Sequence, residues 1–338
     1  MTTAVAVLGA GAWGTALAAH LARRDDAVVT LWARSPDHAG EIARSRRNER
    51  YLPGVAVPDS VAVAADLGAV RGADLLVAAT PVAALLELAQ ALLRHGARAP
   101  LVWLSKGFVE VEATAAQPAG VALAHQVLAP RWPAPVGVVS GPSFAEEVAR
   151  GLPTAVAVAA TDPALAARVA DLLRGDTMRA YESDDLAGVE VGGAVKNVLA
   201  IAAGASDGLG FGHNARAALI TRGLAETGRL SAALGGRRET LMGLAGLGDL
   251  VLTCTGDLSR NRRVGLALAR GVPLPRILAE LGHVAEGVAA ARAVRKLAAH
   301  HALDLPIADA VHRVLHEGLA PRDAVLSLLR REPRAETE

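Results

Sequence analysis

The apolar and polar positions change their pattern near the middle of the chain. In the first half, short apolar runs alternate with segments of helical period. "AVAVLGAG" (4–11) precedes a helical run over 12–24, and "AVVTLWAR" (27–34) precedes a helix with Ser35 at its N-cap and Pro36 at its first position. Further runs at 73–81, 100–107, 134–143 and 153–160 are apolar throughout rather than alternating. Strands of that kind are buried on both faces, as when helices cover a parallel sheet.

From about residue 185 the strand signals stop. Helical periodicity continues through 190–206, 214–234, 259–271, 274–281, 286–300, 305–317 and 321–331. The fold class expected is α/β: an N-terminal doubly wound, Rossmann-type, mostly parallel sheet over 1–188, then an all-helical C-terminal domain over 189–338. The polar stretch "YESDDLAGVE" marks the entry to the helical part, and "EPRAETE" reads as a frayed tail.

At 338 residues, 52% hydrophobic and 20% charged, the chain suits two globular domains with ample core. A net charge of +1 gives no bulk field towards nucleic acid or anionic lipid. One cysteine, Cys254, excludes an intrachain disulfide and fits a reducing compartment. The start has no basic n-region, and the apolar run 75–86 is broken by Pro81 and too short to span a bilayer. A cytoplasmic protein without integral membrane association is expected.

Gly9, Gly11 and Gly14 have the G-x-G-x-x-G spacing, closing the first strand and opening the first helix. Gly9 permits the tight turn, Gly11 the approach of a pyrophosphate, and Gly14 the packing of helix on sheet. An NAD site would carry an acid at the end of the second strand; here stands Arg34, suited to a 2′-phosphate. NADP(H) and/or NAD(H) is the expected cofactor, with a lean to NADP(H). "GLGFG" (208–212) and "GLGDL" (246–250) lack the strand–turn–helix context and read as loops.

"VGGAVKNVLAIAAGA" (191–205) holds a single charge, Lys196, among small and apolar residues. An ammonium there either snorkels out or has its pKa lowered for use. Lys106, in "SKG" past a strand end, sits where open α/β sheets bind ligands. Ser143 and Glu146 have capping-box spacing after the turn Gly141-Pro142. Ser259 as an N-cap, followed by Arg260 and Asn261, makes a phosphate cradle or a capped basic turn. Asp249, a carboxylate among apolar neighbours, requires a partner: a substrate hydroxyl or a lysine. The ten histidines are scattered, and the pair His312/His316 lacks the company of a metal site. Lysine is thus the best-supported proton donor, and no metal is expected.

In order and spacing, "GAGAWGTALA", "SKG", "GPSFAEEVARGLPTA", "VKNVLAIAAGASDGLGFGHNARAALITRGLAE", "GLAGLGDLVLTCTGDLSRNRRVG" and "AEGV" resemble the bacterial-type NAD(P)-dependent glycerol-3-phosphate dehydrogenases, over roughly residues 4 to 320. The resemblance implies Lys196 as the catalytic acid/base. It implies Lys106, Gly141, Ser143, Asp249, Ser259, Arg260 and Asn261 as substrate-binding residues. It assigns Trp13, Arg34, Lys106, Ala145, Arg260, Val284 and Glu286 to the cofactor, and a homodimer as the assembly. At Ala12 many members have Ser, so only the backbone contact would remain there. The implied reaction reduces a phosphorylated ketone, feeding glycerophospholipid synthesis. A ketopantoate-type or 3-hydroxyacid reductase, and a non-catalytic nicotinamide sensor, share the outline. A carboxylate substrate would mark the first, and cofactor binding without turnover the second.

Overall fold

The computed structural model describes residues 2–114, 117–281 and 285–331. Among them, eight strands form one sheet: β1 (Thr3–Leu8), β2 (Ala27–Trp32), β3 (Ala62–Ala64), β4 (Leu75–Ala78), β5 (Leu101–Trp103), β6 (Val136–Ser140), β7 (Thr154–Ala160) and β8 (Met178–Ser183). Their order is β3-β2-β1-β4-β5-β6-β7-β8. The first six have the doubly wound arrangement, whose direction of winding reverses between β1 and β4. All neighbours run parallel except β6 and β7, which pair antiparallel from Gly137–Ala160 to Ser140–Ala157.

The apolar runs found β1, β2 and β4–β7. They missed β8, whose Met178 and Ala180 point inward while Arg179, Tyr181 and Glu182 are exposed. That alternation belongs to an edge strand with one wet face. The three-residue β3 was missed too.

Helices cover both faces of the sheet. On one, Ala12–Leu21 and Pro163–Leu173 pack over Val5, Val7, Val77 and Val156. On the other, Leu85–Arg94 packs over Ala6, Leu76 and Trp103. Ser35 caps the Pro36–Ser45 helix as its sequence requires, accepting from the His38 N–H at 3.3 Å.

Beyond β8 the fold is helical. Leu186–Gly208 runs through the centre, in contact with Gly212–Ala233, Asp249–Thr255, Arg260–Ala269, Glu286–His300 and Pro306–His316. Apolar on every side, it is a core helix. It alone among the described helices is long and apolar enough to cross a membrane, and it is buried in the fold. "GLGFG" is the tight connection between two helices, with Gly208 ending one, Gly212 opening the next, and Gly210 and Gly212 at φ +78° and +81°. "GLGDL" is not a loop: residues Leu244–Gly248 form a π-helical turn leading straight into the Asp249–Thr255 helix.

Candidate active site

β1 delivers the chain into the glycine turn at the point where the sheet's winding reverses. Gly9 has φ +121°, and a Cβ on it would lie 2.8 Å from the Ala79 carbonyl oxygen. A Cβ on Gly14 would lie 1.9 Å from the Gly9 carbonyl oxygen, so the helix can approach the turn only without one. Gly11, the N-cap of Ala12–Leu21, has nothing within 4 Å of its missing Cβ. The first N–H groups of this helix, from Ala12 to Gly14, have no carbonyl in the preceding turn and carry the positive end of its dipole. Two glycines are thus required by packing and the third leaves room for an anion. These residues fit a dinucleotide pyrophosphate.

The Gly9 N–H donates to the Trp32 carbonyl at 2.9 Å, fixing the end of β2 beside the turn. Arg34 follows, exposed. Trp13 leaves the first turn of its helix and donates its indole N–H to the Ser143 carbonyl at 2.8 Å. The glycine turn and the 141–144 segment are thereby joined.

The expected capping box at Ser143 does not form. Phe144 is the N-cap, the helix is Ala145–Ala149, and the Ser143 hydroxyl turns back to the Gly141 carbonyl at 3.0 Å. Gly141, at φ +139°, reverses the chain after β6, where a Cβ would press within 3.0 Å of the Val156 backbone. This turn supplies the carbonyl to which the Ser143 hydroxyl donates instead of capping the helix. Ala145 opens that helix, which packs against Ala12–Leu21.

The chemical centre lies where the C-terminal edge of the sheet meets the central helix. Lys196, 7% exposed, donates to an Asp249 carboxylate oxygen and, at 2.9 Å, to the Thr253 hydroxyl. The other Asp249 oxygen accepts from Lys106 at 2.6 Å, and Lys106 also donates to the Gly141 carbonyl at 2.9 Å. Asp249 is 1% exposed, so one buried carboxylate bridges two ammonium groups. Burial foremost, with Lys106 adding to it and Asp249 pulling the other way, lowers the Lys196 pKa from 10.5 to about 8. Gly193 lets the central helix come this near, since a Cβ on it would lie 2.8 Å from the Ser140 hydroxyl.

Ser259 caps the Arg260–Ala269 helix, accepting from the Arg262 N–H at 3.2 Å, and Arg260 stands exposed on its first turn. Asn261 is held inside the protein. Its amide donates to the Asn197 side chain at 2.9 Å, and its oxygen accepts from the Gly287 N–H at 3.1 Å. Glu286, half-buried, opens the Glu286–His300 helix. Burial raises its pKa while Arg260, Lys196 and Lys106 draw it down, so the carboxyl is within electrostatic reach of all three. Val284 lies outside the described residues.

Two residues of this centre were missed. Thr253 is four positions after Asp249 and shares its face once the helix is known. Asn197, beside Lys196, reaches the Lys106 carbonyl at 3.4 Å. Cys254 is buried with its thiol pushed up to about 12, which suits a packing role.

Comparison with known proteins accounts for almost the whole chain. Residues 4–166 match the family described as NAD-dependent glycerol-3-phosphate dehydrogenase N-terminus, and residues 185–326 the one described as its C-terminus. The chain is 56% identical to a glycerol-3-phosphate dehydrogenase [NAD(P)+] of Aromatoleum aromaticum, covering 98% of this chain and 99% of that one. To its namesake in Thiobacillus denitrificans it is 55% identical, covering 98% of each. A crystal structure of glycerol-3-phosphate dehydrogenase from Coxiella burnetii superposes with a TM-score of 0.91 at 44% identity, over 98% of this chain and 99% of that one.

Proposed function

This chain belongs to the NAD-dependent glycerol-3-phosphate dehydrogenase family, and we propose that it interconverts dihydroxyacetone phosphate and sn-glycerol 3-phosphate. The observation that carries the reading is the buried Lys196 amine, tied to Asp249 and Thr253, with its pKa brought to about 8. A group titrating near the working pH gives and retakes a proton most effectively.

A bound nicotinamide dinucleotide supplies the hydride that reaches the ketone carbon. The protein's residues do the rest. The helix N-terminus at Gly11–Gly14 binds the pyrophosphate, and Arg34, exposed two residues past β2, pairs with a 2′-phosphate, favouring NADP(H). Trp13, Lys106, Ala145, Arg260 and Glu286 line the rest of the cofactor's path. Arg260 and the capped turn at Ser259 and Asn261 take the substrate phosphate, whose binding orients the carbonyl. Gly141, Ser143 and Lys106 enclose the carbonyl end. The Lys196 ammonium transfers its proton to the oxygen as negative charge develops there, and Asp249 keeps the amine aimed. The reverse reaction begins with neutral Lys196 removing the hydroxyl proton.

In this reading, residues 1–188 bind the dinucleotide and 189–338 form the catalytic helical domain of a cytoplasmic homodimer that feeds glycerophospholipid synthesis. The test follows absorbance at 340 nm with dihydroxyacetone phosphate and each reduced nicotinamide in turn. Oxidation of NADPH faster than NADH is expected, with Arg260→Ala raising the KM for the ketone. Absence of oxidation with either cofactor, or equal turnover of a non-phosphorylated keto acid unaffected by Arg260→Ala, overturns the proposal.

A further inference from the structure

Lys196 and Asp249 lie on two helical segments packed side by side, and the contacts between them have a regular spacing. On the central helix, Gly188, Gly192 and Lys196 follow one another at four-residue intervals and share a face. At the near end, a Cβ on Gly188 would lie 3.1 Å from the Thr240 Cβ. One turn on, a Cβ on Gly192 would lie 2.5 Å from the Ala245 carbonyl oxygen and 3.2 Å from the Leu241 side chain. At the far end Lys196 meets Asp249 and Thr253. From Gly188 to Lys196 is eight residues, but from Thr240 to Asp249 is nine. The extra residue falls between Thr240 and Ala245, where Gly243, extended at φ −92° and ψ −161°, separates the Glu239–Met242 turn from the π-helical turn Leu244–Gly248; from Ala245 to Asp249 the spacing is again four.

The near end is fastened by a carboxylate with no part in the chemistry. Asp185, 6% exposed, accepts from the Gly188 N–H at 2.8 Å through one oxygen. Its other oxygen accepts from the Thr240 hydroxyl at 2.6 Å and the Arg237 N–H at 2.8 Å. One buried side chain thus caps the helix that bears Lys196 and holds the start of the segment that bears Asp249.

We propose that Asp185 and Thr240 form a register clasp that fixes the start of this segment along the central helix and so sets Asp249 opposite Lys196. Both are positioning residues, remote from the substrate. The backbone between Thr240 and Asp249 is interrupted at Gly243 and does not hold the register by itself, so losing the clasp would let this segment shift along the central helix and draw Asp249 away from the amine.

The sequence supplies a direct probe. The chain has three lysines, Lys106, Lys196 and Lys296, and Lys296 is exposed. Full-length protein labelled with ¹³C-lysine therefore gives three side-chain signals whose titrations can be followed by NMR. Asp249 holds the Lys196 pKa up against burial. Thr240→Val should move the Lys196 titration to lower pH and leave Lys296 unchanged. Thr240→Ser, which keeps the hydroxyl, should restore it, and Asp185→Asn should act as Thr240→Val does. The kcat for dihydroxyacetone phosphate, which rests on the function proposed above, should fall about tenfold in Thr240→Val, with the KM for NADPH within about twofold. An unmoved Lys196 titration in folded Thr240→Val, or Thr240→Ser behaving like Thr240→Val, overturns the clasp. The titration needs no substrate. An inactive wild-type enzyme would refute the proposed activity and leave the clasp to be decided by NMR.

Discussion

Lys196→Met bears most directly on the chemistry, because it removes one amine and disturbs little else. The thioether follows nearly the path of the lysine stem. Asp249 keeps Lys106 at 2.6 Å, so its carboxylate is not left unpaired in the interior. The fall of the lysine pKa from 10.5 to about 8 corresponds to about 3 kcal/mol disfavouring the buried ammonium, a cost that methionine does not carry. A melting temperature close to wild type is therefore expected. The glycine turn and Trp13 are on the sheet half, so NADPH affinity, read from quenching of tryptophan fluorescence, should stay within about twofold of wild type. Turnover should not survive. A positioned general acid contributes about 10²–10⁴-fold, and a charge aimed at the developing oxyanion about 10²–10³-fold. Such effects overlap rather than multiply, so a loss of about 10³-fold or more in kcat is expected at 340 nm. The pH profile gives a second check. Reduction needs the protonated amine, so wild-type turnover should hold below about pH 8 and fall above it, while oxidation should show the opposite trend. Both limbs should vanish in the variant. Turnover within tenfold of wild type, or a retained limb near pH 8, would refute Lys196 as the acid/base.

Two further predictions separate binding from folding and charge from packing. Gly11→Ala should melt like wild type, because a Cβ there meets no protein atom, yet bind NADPH at least tenfold more weakly by crowding the pyrophosphate. Gly14→Ala, with its Cβ 1.9 Å from a carbonyl oxygen, should lose melting temperature as well, and equal behaviour of the two would contradict this account of the turn. Glu226 accepts from the Ile307 and Ala308 N–H groups at 2.7 and 3.1 Å, and burial pushes its pKa from 4.5 up to about 7. Since the folded value lies above the unfolded one, the stabilisation linked to its proton is full below about pH 4.5 and lost as pH rises through about 7. Calorimetry of Glu226→Gln between pH 4.5 and 7 should lack that loss, whereas a constant offset from wild type would show that Glu226 does not titrate in this range.

The sequence was most legible where a residue contradicts its surroundings. Lys196 is a charge in an apolar run and Asp249 a carboxylate beside glycines, and burial makes such exceptions costly enough to carry meaning. Three glycines at fixed spacing located the turn, because packing tolerates no side chain at Gly9 and Gly14, and Gly11 keeps the space an anion needs. The strand directions were less legible, since a uniformly apolar run such as 153–160 reads the same whichever way its strand points. β8 escaped because its alternation of Met178 and Ala180 with Arg179 and Tyr181 differs from the buried runs that were sought. The glycines of "GLGDL" suggested a loop, but its first three residues belong to a π-turn that packs against Gly192 of the neighbouring helix and the rest open an α-helix, a tertiary arrangement with no local signature. Ser143 kept its capping-box spacing, yet the helix begins one residue later with Phe144 as N-cap, and the hydroxyl donates to the Gly141 carbonyl in the turn after β6.

The Lys106–Asp249 bond joins a loop of the sheet to the helical half, and any gaping between the halves would have to part it. Withdrawing Lys106 removes a neighbouring positive charge from Lys196 and leaves Asp249 to it alone, strengthening its hold on a proton; return of Lys106 loosens that hold. An open molecule would thus recharge its amine from solvent, and a shut one would be readier to discharge it, which ties the timing of proton delivery to enclosure of the reactants.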